Sequence, residues 1–172
     1  FASAITPIQL QAGWNMIGVY EKPIAVTNVS STPANIFTSQ FYGFNTGYSV
    51  PDTLKVCKGY WVRSSSNGVI NLTTGTNQFD KVENLDEIEG KLIITDNKNN
   101  LMLLKFSNSI SNLDYYDLPP TPPAGAFDVR FSSGRMTEDL FSEKEIELLG
   151  TEYPVKLKVE GTNLRSEERR VG

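Results

Sequence analysis

Phe127, Val129 and Phe131 alternate with Asp128 and Arg130, and Val155, Leu157 and Val159 alternate with Lys156, Lys158 and Glu160. Successive side chains of a strand point to opposite faces, so a period of two writes a strand with one apolar and one charged face. Strands of this kind belong to antiparallel sheets buried on one side, and several at this spacing predict a sandwich. Residues 92–94 and 102–106 are two more apolar runs. They flank Asp96-Asn97-Lys98-Asn99-Asn100, residues that tolerate left-handed backbone, so a hairpin is expected there.

Ahead of Phe127 stands Leu118-Pro119-Pro120-Thr121-Pro122-Pro123-Ala124-Gly125, with four prolines in five positions. Proline fixes φ and has no N–H to give a ladder, so this stretch is extended and cannot sit inside a sheet. It is expected to cross from one sheet to the other, or to run along an edge and block pairing there.

The first half of the chain is built of shorter pieces. Residues 14–19 form an apolar β-favouring run bounded by Gly13, and residues 41–48 predict a hairpin turning at Asn45-Thr46-Gly47. Residues 59–63 and 69–72 are expected to pair across 64–68, where Asn67-Gly68 is a strong turn signal. Residues 32–37 predict one helical turn, with Thr32 as cap and Pro33 at the first helical position.

Charge divides the chain as well. Residues 1–80 carry four basic and three acidic side chains, whereas residues 81–164 carry nine basic and fifteen acidic ones. Both tryptophans and four of the seven tyrosines precede residue 80. The expected architecture is therefore all-β: a small aromatic-rich β module at 1–80, then an antiparallel β-sandwich at 81–164, Ig-like in general architecture. Residues 165–172, Arg-Ser-Glu-Glu-Arg-Arg-Val-Gly, hold five charges in eight positions and resemble the translation of a common sequencing-library adapter. They are set apart as a non-native tail and are expected to fray into solvent.

Composition narrows the function. The chain has no histidine, which removes histidine-based triads and most zinc sites. Its one cysteine, Cys57, cannot form an internal disulfide or a multi-cysteine metal site. A net charge of −4 argues against a nucleic-acid partner. No run approaches the roughly 20 apolar residues of a membrane helix, so no membrane span is expected.

The remaining chemical candidates are few. The loop at 96–100 differs from a calcium loop, since Lys98 and Leu101 stand where an oxygen ligand and a glycine are needed. Acidic groups gather at Asp86/Glu87/Glu89, Asp114/Asp117 and Glu143/Glu145/Glu147, but nothing in the sequence sets two of them across a cleft. Lys58 lies beside Cys57, without a histidine to act as base. No catalytic residue, metal site or cofactor is expected. Tyr42, Tyr48 and Trp61 are the candidate glycan contacts, because aromatic rings stack on pyranose faces; the alternative is that a small β domain uses such rings, Trp14 and Trp61 above all, to fill its core.

Two stretches resemble known proteins. Leu10-Gln11-Ala12-Gly13-Trp14-Asn15-Met16-Ile17-Gly18, Tyr48 and Leu54-Lys55-Val56-Cys57-Lys58-Gly59-Tyr60-Trp61-Val62 resemble a repeated β module of large bacterial surface proteins. That module usually has glycine where Cys57 stands. Ile94-Thr95-Asp96-Asn97, the run from Leu118 to Phe131 and Tyr153-Pro154-Val155 are similar to the penultimate region of secreted proteins exported by the type IX route. The resemblance implies a non-catalytic structural or adhesive module at the cell surface or outside the cell, a spacer ahead of a C-terminal sorting domain. Its partners would be neighbouring domains of a longer chain and a surface polysaccharide. The alternative is a carbohydrate-binding accessory module of a secreted hydrolase.

Overall fold

In the computed structural model, residues 7–72 and 88–161 are described in full and residues 168–171 as backbone. The chain is all-β and divides into two compact units, residues 1–43 with 50–83, and residues 44–49 with 84–172.

The strands described up to residue 72 are β1 (Ile8–Leu10), β2 (Gly13–Gly18), β3 (Ile24–Ala25), β4 (Val29–Thr32), β5 (Tyr42–Phe44), β6 (Tyr48–Ser49), β7 (Thr53–Leu54), β8 (Gly59–Ser64) and β9 (Gly68–Leu72). In the first unit β9 lies between β1 and β4, β8 lies between β2 and β5, and β3 pairs with β7. Leu10, Ile17, Ile24, Val29, Leu54, Tyr60, Val62, Ile70 and Leu72 come from seven of these strands and meet in one core. Each short sheet thus buries one face against the others, which is how strands too short to stand alone become stable.

Two expectations for this unit are corrected. β8 and β9 do not pair with each other; they belong to different sheets, and residues 64–68 turn the corner between them. The corner is closed locally, with Ser64 Oγ donating to the Ser66 carbonyl at 2.7 Å and the Ser65 N–H donating to the Ile36 carbonyl at 2.8 Å. Asn67 uses its side chain to accept from the Ala12 N–H at 3.0 Å. Gly68 is needed for space, since a Cβ there would lie 2.7 Å from the Thr32 carbonyl oxygen. Residues 32–37 likewise form a turn rather than a helical one, because Asn35 takes φ 60° and leaves the helical basin.

The second unit holds β10 (Gly90–Thr95), β11 (Leu101–Phe106), β12 (Asp128–Phe131), β13 (Thr137–Glu138), β14 (Ile146–Leu149), β15 (Val155–Gly161) and β16 (Glu168–Val171). Five of them form a sheet in the order β13-β11-β10-β15-β16, and β12 pairs with β14 in a second, smaller sheet. Leu92, Ile94, Met102, Leu104 and Val155 are buried on the larger sheet, Val129 and Phe131 on the smaller. Phe106 meets Phe131 edge-on at 5.3 Å, one contact through which the two sheets share a core. The expected hairpin of β10 and β11 is formed in full register, with Asn99 at φ 63° in its loop. β11 pairs with β13 in parallel, which departs from the antiparallel expectation.

Two further expectations change here. Glu168–Val171 pair with β15 from Lys158↔Glu168 to Val155↔Val171, so this part of the tail extends the sheet instead of fraying. An open strand edge offers a row of unpaired donors and acceptors, and four residues of almost any sequence can take it up. β12 differs from its expected half-buried state, since Asp128 and Arg130 are buried along with Val129 and Phe131.

Candidate functional site

The three candidate glycan contacts are not presented together. Tyr42 has no exposed surface, and Tyr48 is 6% exposed. A ring without an open face cannot stack on a sugar, which corrects both assignments. Tyr42 packs at 6.2 Å from Trp14. Tyr48 belongs to the second unit, where Phe44 meets it edge-on at 5.1 Å and its hydroxyl donates to the Pro120 carbonyl at 2.9 Å. Only Trp61 is partly exposed.

The register of β2 and β8 shows what surrounds Trp61. Met16 lies opposite Trp61 and Trp14 opposite Arg63, while Ile17 and Val62, at alternate positions, face the core. Trp14 and Trp61 therefore share the outer face and meet edge-on at 6.5 Å. Both are more buried than exposed; they lie outside the main core cluster and pack instead around the buried Tyr42, which stands opposite Trp61 on β5 and 6.2 Å from Trp14. Met16, 63% exposed, completes the patch. Parity was the available signal: Trp14 and Met16 share one face of their strand whatever the partner, and only the pairing of β2 with β8 adds Trp61 to it.

Asp96, Asp114, Asp117 and Glu89 each have a structural role. Asp96 is buried at the start of the β10–β11 loop. Its Oδ1 accepts from the Lys98 and Asn100 N–H groups, both at 2.9 Å, and its Oδ2 from Asn100 Nδ2 at 3.0 Å and the Glu152 N–H at 3.3 Å. Burial raises the pKa of this carboxyl, but the hydrogen bonds from Asn100, Glu152 and Lys98 outweigh it and leave the group below its ordinary value. Loop oxygens that could have faced a cation thus hold the hairpin shut.

Asp114 and Asp117 both bind Arg135, at 2.6 and 3.2 Å, and Glu138 approaches the same guanidinium at 3.5 Å. Lys144 bridges Glu138 and Asp139 at 3.5 and 3.1 Å. Glu89 accepts twice from Asn108, each at 3.1 Å. Glu143, Glu145 and Glu147 are exposed, and Asp86 and Glu87 lie outside the described residues. Among the described residues no three His, Cys, Asp or Glu side chains are placed to hold a metal. Cys57 is exposed at φ 61°, a backbone conformation more usual for glycine.

The most enclosed polar arrangement surrounds the proline run. Asp128 and Arg130 share the outer face of β12, two residues apart, and Arg130 Nε donates to Asp128 Oδ2 at 2.6 Å. Arg130 Nη1 donates to the Pro119 carbonyl at 3.0 Å. The next carbonyl, on Pro120, accepts from Tyr48. Proline segments have carbonyls but no amide donors, so an arginine and a tyrosine hydroxyl suit them as partners. Asp128 Oδ1 and Arg130 Nη2 are buried without a hydrogen-bond partner among the described residues, so this pair is enclosed but not fully satisfied. Burial raises the pKa of the Tyr48 hydroxyl, and the Asp128 charge adds to this against the opposing effect of Arg130.

No family model, curated protein or solved structure matches the chain. Among the described residues no helix is long and apolar enough to cross a membrane.

Proposed function

We propose that this chain is a non-catalytic structural or adhesive module of an exported bacterial cell-surface protein, a stiff spacer between neighbouring domains and ahead of a C-terminal sorting domain. The observation that carries this reading is the fastening of the proline run by Arg130 of β12, itself held by Asp128, and by Tyr48 of β6. An extended proline segment is stiff by itself. Held at Pro119 by a buried charge-assisted hydrogen bond and at Pro120 by a tyrosine hydroxyl, it resists bending and peeling. Asp96, Asp114, Asp117 and Glu89 are engaged in holding loops, which supports a passive role.

Pulling the chain from its two ends in a force spectrometer tests the proposal. The second unit is expected to give one sharp unfolding event, at clearly lower force in the variant with Pro119, Pro120, Pro122 and Pro123 changed to alanine. Gradual extension, or equal forces for the two chains, overturns the spacer reading.

The outer face of β2 and β8 favours a second reading, a carbohydrate-binding accessory module of a secreted hydrolase. Trp14, Met16 and Trp61 form an apolar, partly exposed patch there. Retardation of the chain in gels containing neutral β-glucan or xylan, abolished by Trp61→Ala, would put this reading ahead of the spacer.

A further inference from the structure

An asparagine followed by glycine is prone to lose its side-chain amide, because the glycine nitrogen has no side chain beside it to block approach to the asparagine Cγ. The pair occurs once in this chain, as Asn67-Gly68. After every other asparagine stands a residue with a side chain. At two of those places the following nitrogen is also engaged. The Asn100 N–H, after Asn99, donates to Asp96 Oδ1 at 2.9 Å, and the Ser109 N–H, after Asn108, donates to Ser107 Oγ at 3.2 Å.

Asn67 stands exposed at the corner between β8 and β9. Its Oδ1 accepts from the Ala12 N–H at 3.0 Å. The donor is a main-chain N–H, so the atom facing it is the carbonyl oxygen and not the amide nitrogen. That oxygen takes up negative charge when a nucleophile adds to Cγ, and an N–H already aimed at it stabilises the charge as an oxyanion hole does. Gly68 is the first residue of β9 and pairs with Leu10, the last of β1. Its nitrogen thus lies at the end of a ladder, where pairing opens most readily.

We infer that Asn67 is a site of spontaneous deamidation, and that its isoaspartyl product loosens the first unit. The Gly68 nitrogen gives its proton to a base in solvent and bonds to Asn67 Cγ. The bond from Cγ to the side-chain nitrogen breaks, and that nitrogen takes a proton from water and leaves as ammonia. Water then opens the five-membered succinimide at either carbonyl, which leaves aspartate or isoaspartate at position 67. The two products differ in what the corner feels. Aspartate keeps an oxygen for the Ala12 N–H. Isoaspartate runs the main chain through the side-chain carbon and so adds one atom ahead of Gly68. There is no room to absorb it, since a Cβ on Gly68 would lie 2.7 Å from the Thr32 carbonyl oxygen and 3.2 Å from Pro33 Cδ. The displacement passes into β9, which carries Ile70 and Leu72 into the core.

The test ages the full chain at mildly alkaline pH and follows it by peptide mass mapping and by labelling with an isoaspartate-specific methyltransferase. Asn67 is expected to convert several-fold faster than any other asparagine, with the label concentrated in its peptide. The aged chain should melt several degrees below the fresh one. Asn67→Ala, shown to be folded by far-UV circular dichroism, should age without that fall. Fresh Asn67→Asp, which has the charge without the extra atom, should melt close to the unaged parent. An Asn67 that keeps its amide in the folded chain while a synthetic peptide of residues 64–70 converts overturns the inference, as does another asparagine converting first. Asn67→Asp melting as low as the aged parent would assign the loss to charge and overturn the role given to the lengthened main chain.

Discussion

β12 and β15 carry the same written instruction and meet opposite fates. Each alternates bulky apolar residues with charged ones, and each turns the apolar set toward the core. Lys156 and Lys158 of β15 then stand in water, while Asp128 and Arg130 of β12 are 1% and 5% exposed. What differs is the segment that precedes β12. Residues 118–120 lie along its charged side, with Leu118 and Pro119 buried and the Pro119 carbonyl taken by Arg130. Alternation thus reports which side of a strand faces the core; whether the other side is wet depends on what the rest of the chain lays over it.

The contrast breaks most readily at Arg130. Removing one member of a buried ion pair leaves the other charge uncompensated, so Arg130→Ala or Asp128→Ala should each cost about 3–5 kcal/mol in urea unfolding. Replacing both by apolar residues of similar size, D128L/R130M, should restore stability to within about 1 kcal/mol of the parent. Losses below about 1 kcal/mol in the single variants would place the outer face of β12 in the same wet class as that of β15.

The covering segment can be altered without touching the pair. Alanine at Pro119, Pro120, Pro122 and Pro123 lets the unfolded chain sample more conformations, which should cost about 2–3 kcal/mol in all. Hydrogen exchange is the sharper measurement. The amides of Asp128 and Arg130 should exchange faster in this variant and those of Lys156 and Lys158 should not. Equal acceleration in both strands would mean that the prolines stabilise the unit globally rather than shielding one strand.

These differences explain how much could be read beforehand. The all-β class, the β10–β11 hairpin and the inward faces of β12 and β15 follow from period two and from the turn residues at 96–100. The proline run was legible as a segment unable to enter a sheet. Its carbonyls as acceptors for Arg130 and Tyr48 were not, because those partners lie 11 and 72 positions away. The same holds for Asn67-Gly68, where a good turn signal does not say whether the next strand pairs back or joins another sheet. Tyr42 and Tyr48 looked like surface rings because tyrosine tolerates both environments, and burial is decided by tertiary neighbours.

Asp96 sharpens the comparison from another side, since it is buried like Asp128 but has hydrogen-bond donors on both oxygens. Asp96→Ala leaves several donors without their acceptor and should cost about 1–2 kcal/mol. Its pKa in the folded chain lies below that of the unfolded chain, about 3.9. The resulting stabilisation is fully present above the unfolded value and is lost as pH falls through the folded one. Melting temperatures of the parent and Asp96→Asn should therefore differ by a constant amount from about pH 7 to 5 and converge below about pH 4. A gap that stays constant down to acid pH would assign the effect to hydrogen-bond geometry instead of charge.

The smallest effects belong to the wet side of β15. Lys156→Ala touches no special feature and should stay within about 0.5 kcal/mol of the parent. Lys158→Ala removes the contact with Glu160, in which both side chains are largely in water at 62% and 45% exposure. Its small shift in the urea midpoint should vanish when salt is raised enough to screen exposed charges. Leu157→Ala, between them on the inward side, should cost about 2 kcal/mol, because it removes packing that salt does not restore. If Lys158→Ala instead matched Leu157→Ala and ignored salt, the outer face of β15 would be enclosed as that of β12 is.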